Sequence, residues 1–321
     1  MKVKIEYLIL LIVIAALAAY LALHKPDRTL YELPELPAIA AQDISRLEIT
    51  KGGETIVVKK RDDGWYIEPA GHPADGNRIR DMIDLLETLT VTALVSESGS
   101  YERYDLTDDG KIAVKAWTGE TVRRDFSVGK TAPTYHHTFV RLTGNDNVFH
   151  ARGDFRRTFD LSRDDLRDKT VMTFDTGNIQ EISITRKGIT ERFARAPITR
   201  EARTEGTAEP HGGEEEHAWK NSRGDEIDGS RVEALLSDLS SLKCDSYLEG
   251  RKQGDFTDPV IALTLKGTRE HQLTIYGKET ETDEGVPALS SAADGPFLLT
   301  DQRIESLQAA IDGLVETAGT E

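Results

Sequence analysis

The chain has 321 residues and a formal net charge of −16, from 56 acidic against 40 basic side chains spread along its length. Phosphate backbones bind basic surfaces, so this balance argues against a nucleic-acid partner. The single cysteine, Cys244, excludes an intramolecular disulfide, and the chain is long enough for two ordinary domains with cores of their own.

The first element is the apolar run YLILLIVIAALAAYLAL, from Tyr7 to Leu23, which carries no charge and no helix breaker. It stands at the lower edge of the roughly 17–25 residues that cross a bilayer as a helix. The run predicts an uncleaved single-pass anchor in the inner (cytoplasmic) membrane, with residues 1–6 as a cytoplasmic tail and the C-terminal portion periplasmic or otherwise extracytoplasmic. The basic residues on its two sides nearly tie, Lys2 and Lys4 against Lys25 and Arg28, so the orientation rests mainly on the very short tail and its α-amine. A cleaved secretory signal is the rival reading, because Ala16, Ala18 and Ala19 suit a peptidase. The run, however, is longer than the usual core of about 7–15 apolar residues, and those alanines lie inside it. No cysteine lies near enough to be acylated, which excludes a lipoprotein. Residues 24–42 follow, with Pro34 and Pro37 making a semi-extended tether.

From residue 43 the chain describes one α+β unit twice: a first repeat over 43–160, a connector over 161–177 and a second repeat over 178–316, with 317–321 as a tail. Ile44, Leu47 and Ile49 in DISRLEIT match Ile179, Ile182 and Ile184 in NIQEISIT, each alternating as a half-buried strand does. A polar turn and a second strand come next, Ile56–Lys59 after Gly52-Gly53 and Thr190–Ala194 after Gly188, and then a tryptophan, Trp65 or Trp219. Before Trp219 the second repeat inserts a polar, Gly- and Glu-rich stretch over 196–217, expected to be a flexible acidic loop. DGNRIRDMIDLLETL from Asp75 then aligns without a gap on DGSRVEALLSDLSSL from Asp228. Ile79, Met82, Ile83, Leu86 and Leu89 fall opposite Val232, Leu235, Leu236, Leu239 and Leu242, the stripe of an amphipathic helix with one buried face. Asp75 or Asn77, and Asp228 or Ser230, suit the N-cap.

Each copy continues into a short strand, where Val91 faces Cys244, and the cysteine reads as a small buried hydrophobe. Asp105-x-Thr107-Asp108 and Asp255-x-Thr257-Asp258 read as turn chemistry before another alternating strand. Further strands end in Val128-Gly129-Lys130 and Tyr276-Gly277-Lys278, hairpins reach Val148-Phe149 and Phe297-Leu298, and short helices close the copies near Asp154–Phe159 and Asp301–Leu314. Each repeat is therefore predicted to be an antiparallel sheet with one main helix on a face.

The anchor, the spaced aliphatic strand, the Gly-Trp hairpin, the Asp-led helix, the Asp-x-Thr-Asp turn and the Val-Gly-Lys strand end together resemble the DUF4340 family (domain of unknown function). LRDKTVMTFD, from Leu166 to Asp175, is similar to that family's link between repeats. The resemblance covers nearly all of the chain after the tether. It implies a bacterial, membrane-anchored envelope component, considered alongside ABC-type transport systems of the gliding-motility auxiliary kind. No family active site carries over. The chain departs from the pattern in its long insertion and in Asp109-Gly110, where the second repeat has Asp258-Pro259.

Motifs that carry chemistry fail on inspection. Ser127–Thr131 (SVGKT) lacks the first glycine of a phosphate loop, that position being Arg124. His211 to His217 holds metal-ligand types, but in an insertion with no rigid scaffold. His136 and His137 point to opposite faces of a strand. Ser240-x-x-Lys243 has none of the partner motifs of penicillin-binding enzymes. The arginines 152, 156, 157, 163 and 167 interleave with Asp154, Asp160, Asp164, Asp165 and Asp168, and read as a solvated mixed-charge surface. No catalytic, cofactor-binding or metal residue is assigned, and no cofactor. The expectation is a non-enzymatic binding or scaffold component, with the lipid bilayer and a protein of a membrane complex, such as ABC transporter subunits, as partners. The alternatives are a hydrolase with an unrecognised site, or a ligand-binding sensor in a cleft between the repeats that hinges near Phe174–Asn178.

Overall fold

The computed structural model of the chain describes residues 12–20, 31–197, 217–278 and 284–317. Residues 12–20 are a helix, α1, with Ile12 and Leu17 more than half exposed. The remainder of Tyr7–Leu23 lies outside the described residues, and among the described residues no helix is long and apolar enough to cross a membrane.

The end of the tether is docked. Ile39 is buried, the Ala41 N–H donates to Glu87 Oε1 at 3.1 Å, and Arg124 Nη1 donates to the Pro37 carbonyl at 2.8 Å. From there the chain builds β1 (Arg46–Lys51), β2 (Glu54–Arg61), β3 (Gly64–Glu68), β4 (His72–Pro73), helix α2 (Gly76–Glu87), β5 (Val91–Ser96), β6 (Ile112–Thr118), β7 (Thr121–Thr131), β8 (His137–Leu142), β9 (Val148–Arg152) and the short helix α3 (Phe155–Phe159). The strands form one antiparallel sheet in the order β4-β3-β2-β1-β6-β7-β8-β9-β5.

A four-residue helix, α4 (Arg163–Leu166), and β10 (Thr170–Thr173) occupy the connector. The second set is β11 (Glu181–Arg186), β12 (Ile189–Pro197), β13 (His217–Asn221), β14 (Glu226–Ile227), α5 (Gly229–Leu239), β15 (Ser241–Lys243), β16 (Ser246–Tyr247), β17 (Ile261–Lys266), β18 (Glu270–Ile275), β19 (Val286–Ser290), β20 (Phe297–Leu299) and α6 (Asp301–Thr317). Its sheet runs β14-β13-β12-β11-β17-β18-β19-β20-β16, the first order repeated element for element, while β10 and β15 pair as a separate ribbon. The described chain divides into two compact units, one of residues up to 60 with 80–160, the other of 61–79 with 161 onward.

Local chemistry explains the repetition. Lys51 pairs with Glu54 and Arg186 with Ile189, and each hairpin closes through two residues of positive φ: Gly52 (56°) and Gly53 (85°), Lys187 (50°) and Gly188 (78°). That is the primed turn whose twist matches the flanking strands. Each main helix is capped by the aspartate of its two candidate residues. Asp75 Oδ1 accepts from the N–H groups of Asn77 and Arg78, and Asp228 Oδ1 from the Ser230 N–H and hydroxyl. The stripe residues are buried as expected, but each helix stops before its last one: α2 ends at Glu87, ahead of Leu89, and α5 ends at Leu239, with Leu242 in β15 opposite Met172 of β10. The backbone partner supplied by the connector strand replaces a last helical turn.

Within the second unit, α6 presents Ile304, Leu307, Ile311 and Leu314 to the core that contains Val232, Leu235 and Leu239 of α5. Arg231 Nη1 donates to the Gly313 carbonyl at 2.6 Å and ties the two helices together. Burial of such apolar side chains stabilises by about 25 cal/mol per Å² of surface removed from water.

Candidate functional site

The connector is where the charge pattern and the structure part. Ser162 and Asp165 form a reciprocal capping box that starts α4, and the Ser162 hydroxyl and N–H hold the Asp165 carboxyl below the usual aspartate range. The Asp75 N–H donates to the Leu166 carbonyl at 2.8 Å, and the Asp168 N–H to the Pro73 carbonyl at 2.9 Å, which fixes the chain on either side of Arg167. Leu166, Val171 and Met172 are buried. A segment held in this way cannot keep every side chain in water.

Arg167 is the one turned inward. It is 6 % exposed, with its guanidinium carbon 3.3 Å from the centroid of the Tyr247 ring. Its Nε is buried without an acceptor among the described residues, and the carboxylate nearest its Nη1 is that of Glu249, at 4.0 Å and itself largely exposed. Arg167 is therefore not part of the solvated surface predicted for this stretch. The prediction does hold for Arg157, exposed beside Asp154, whereas Arg156 is half-buried, paired with Asp160 at 3.1 Å and bonded to the Gly110 carbonyl. A buried donor without an acceptor costs about 1–3 kcal/mol. Stacking on an aromatic face returns about 1–2 kcal/mol, so the two roughly offset and the free hydrogen-bonding capacity is retained.

Tyr247, on the two-residue edge strand β16, is the platform. Its hydroxyl donates to the Asp168 carbonyl at 2.9 Å, and burial raises its pKa above the ordinary value of 10.0, so the phenol remains a neutral donor. Lys169 forms an ion pair with Asp164 and lies 5.7 Å from the same ring. Cys244 donates its backbone N–H to the Lys169 carbonyl, and burial pushes its thiol up to about 11. The thiol is thus protonated at neutral pH, the inert state expected of a small buried hydrophobe.

From β16 the chain runs past Glu249 to Arg251 and Lys252, which line a groove of about 440 Å³ together with Gln272, Thr274, Ser290 and Asp294. The Leu248 N–H donates at 2.9 Å to the carbonyl of Pro296, which also lines the groove. His72 Nδ1 lies 3.7 Å from Asp294. The second unit thus holds a buried cation stacked on an aromatic ring, and a polar groove lined by Arg251, Lys252 and Asp294.

The family model described as "Domain of unknown function (DUF4340)" matches residues 65–260, well over half of the chain. The chain belongs to the DUF4340 family. No curated protein and no solved structure matches it. The DUF4340 match includes Arg167, Lys169, Cys244, Tyr247 and Glu249.

The remaining motifs of this DUF4340 chain take structural places. Gly129 of the SVGKT stretch lies in β7, where an added Cβ would stand 2.1 Å from the Tyr104 carbonyl, so the glycine serves a close backbone approach. Arg124, at the position a phosphate loop would give to glycine, is buried and donates to the Leu86 and Pro37 carbonyls. Ser240 Oγ donates to the Ser237 carbonyl at the end of α5. The His137 ring lies 5.5 Å from that of His150, and among the described residues no three metal-ligand side chains cluster. Of the stretch His211 to His217, only His217 is described, as the first residue of β13.

Tyr247 carried no signal in sequence. Arg167 carried one: the charged tripeptide at 167–169 is bracketed by Leu166, Val171 and Met172, apolar residues that a solvated surface does not need.

Proposed function

We propose that this DUF4340 protein is a non-enzymatic component of the cell envelope, anchored in the inner membrane by Tyr7–Leu23, with its α+β portion extracytoplasmic. It binds a protein of a membrane complex, of the ABC-type transport class that the family resemblance implies. The observation that carries the anchor is α1, a helix whose apolar side chains Ile12, Val13, Ile14 and Leu17 stand about half exposed or more. Such a surface is stable against lipid and costly in water. The binding role is supported by the buried Arg167, whose Nε has no acceptor among the described residues, since a protein that needed the cation only for packing would satisfy its donors.

The test is a mild-detergent pull-down of the tagged full-length protein from its own membranes, beside a version lacking residues 1–23, with mass spectrometry of what each retains. Recovery of transporter permease or ATPase subunits with the full-length chain is the expected result. Equal recovery with both versions places the contact in the α+β portion. Partitioning of the full-length chain into the soluble fraction would overturn the anchor, and the absence of any specific partner from both versions would overturn the accessory role.

A further inference from the structure

We propose that Arg167 is the receptor of a carboxylate-bearing ligand, with Tyr247 as the platform that orients it and Glu249 as a resident carboxylate that the ligand displaces. This does not depend on the anchor or on a transport partner. A guanidinium presents its donors as a planar fork that matches a carboxylate with two parallel hydrogen bonds. In Arg167 that fork is held rigid by stacking on Tyr247, Nε has no acceptor among the described residues, and Nη1 faces Glu249 at a distance beyond hydrogen-bond reach. The Glu249 side chain opposite Nη1 is largely exposed, which makes that edge, and not the enclosed Nε, the side of approach.

The neighbouring carboxylates are already engaged. Asp164 is engaged by Lys169, an oxygen of Asp168 accepts the Thr170 N–H at 2.9 Å, and Asp294 stands beside His72. Glu249 adds a further negative charge. A dianion meets about twice the repulsion of a monoanion from these carboxylates and twice the attraction to Arg167, so charge alone does not choose, and the carboxylate that already faces the guanidinium, Glu249, sets the class. Glu249 stands two residues before Arg251, which lines the groove together with Lys252.

The test uses the full-length protein in mild detergent with ¹⁵N-labelled arginine, following the Arg167 Nε–H signal, assigned by its loss in Arg167→Lys. Acetate, succinate, a short peptide rich in Asp and Glu, and inorganic phosphate are titrated separately. The expected result is a saturable downfield shift with the carboxylates, weaker with phosphate, and tighter by about threefold to tenfold in Glu249→Gln. Succinate binding more tightly than the peptide names a small molecule as the source, and the reverse names an acidic segment of a partner. Glu249 is exposed, so its variant folds even if Arg167→Lys does not. The proposal is overturned if no carboxylate moves the signal in either the wild type or Glu249→Gln, or if phosphate binds more tightly than every carboxylate. It also fails if Glu249→Gln weakens binding, which would make Glu249 part of the site rather than its occupant.

Discussion

The two nine-stranded sheets share one strand order and are finished differently. The second unit closes with the 17-residue α6 packed on α5, whereas the five-residue α3 follows the first sheet. Ahead of the second sheet the connector contributes β10, which pairs with β15. Ahead of the first lie Pro34 and Pro37, which cannot donate to a ladder, and there a buried arginine, Arg124, makes the equivalent tie from its side chain to the Pro37 and Leu86 carbonyls. A repeated strand order thus tolerates different solutions at its margins, since what must recur is the alternation that buries one face and not the means of satisfying each edge.

Three experiments sharpen that contrast. The largest effect is expected at Ile311, which is fully buried in α6. Ile311→Ala should destabilise the second unit by about 2–5 kcal/mol, measured by chemical denaturation, with hydrogen exchange rising in α5 and α6 while β6 and β7 stay protected. Equal loss of protection in both sheets would mean that the units unfold as one. Next is the Gly-Lys pair that both copies carry. Gly129→Ala should cost about 1–3 kcal/mol, because its Cβ meets the Tyr104 carbonyl and the Leu106 side chain. Gly277→Ala, whose Cβ would touch only Val260 among the described residues, at 3.9 Å, should be neutral or stabilise by about 0.5 kcal/mol. Similar values at the two positions would show that the close approach is absent from the first unit.

The smallest effect lies at Cys244. Its folded pKa is raised from 9.0 to about 11, so its contribution is complete below pH 9 and is lost as the pH climbs through 11, because the unfolded chain releases the thiol proton first. Cys244→Ala should remove that alkaline decline from the denaturation midpoint. Alkylation of the wild-type thiol at neutral pH should proceed only at the rate of unfolding, and rapid labelling of the native protein would refute the burial.

Much of the frame was legible from residue order. The gapless alignment of Asp75 to Leu89 on Asp228 to Leu242 placed both helices and their buried stripes, and Gly52-Gly53 and Gly188 placed both hairpins. Alternation and periodicity are local properties of the backbone, which neighbouring side chains express in sequence. The candidate site was not legible, because Tyr247 and Arg167 are eighty residues apart in the chain and meet only once β16 lies beside the connector. A charge run looks the same whether each member is solvated or one is folded inward.

Strand alternation, helix faces, caps and hairpin turns were therefore set by residue order alone, since each rests on contacts within a few residues. The end of α5, the pairing of β10 with β15, the inward turn of Arg167 and the close approach at Gly129 were settled by packing between distant segments. Burial and the supply of backbone partners depend on what the rest of the chain brings alongside, and a local pattern does not encode that.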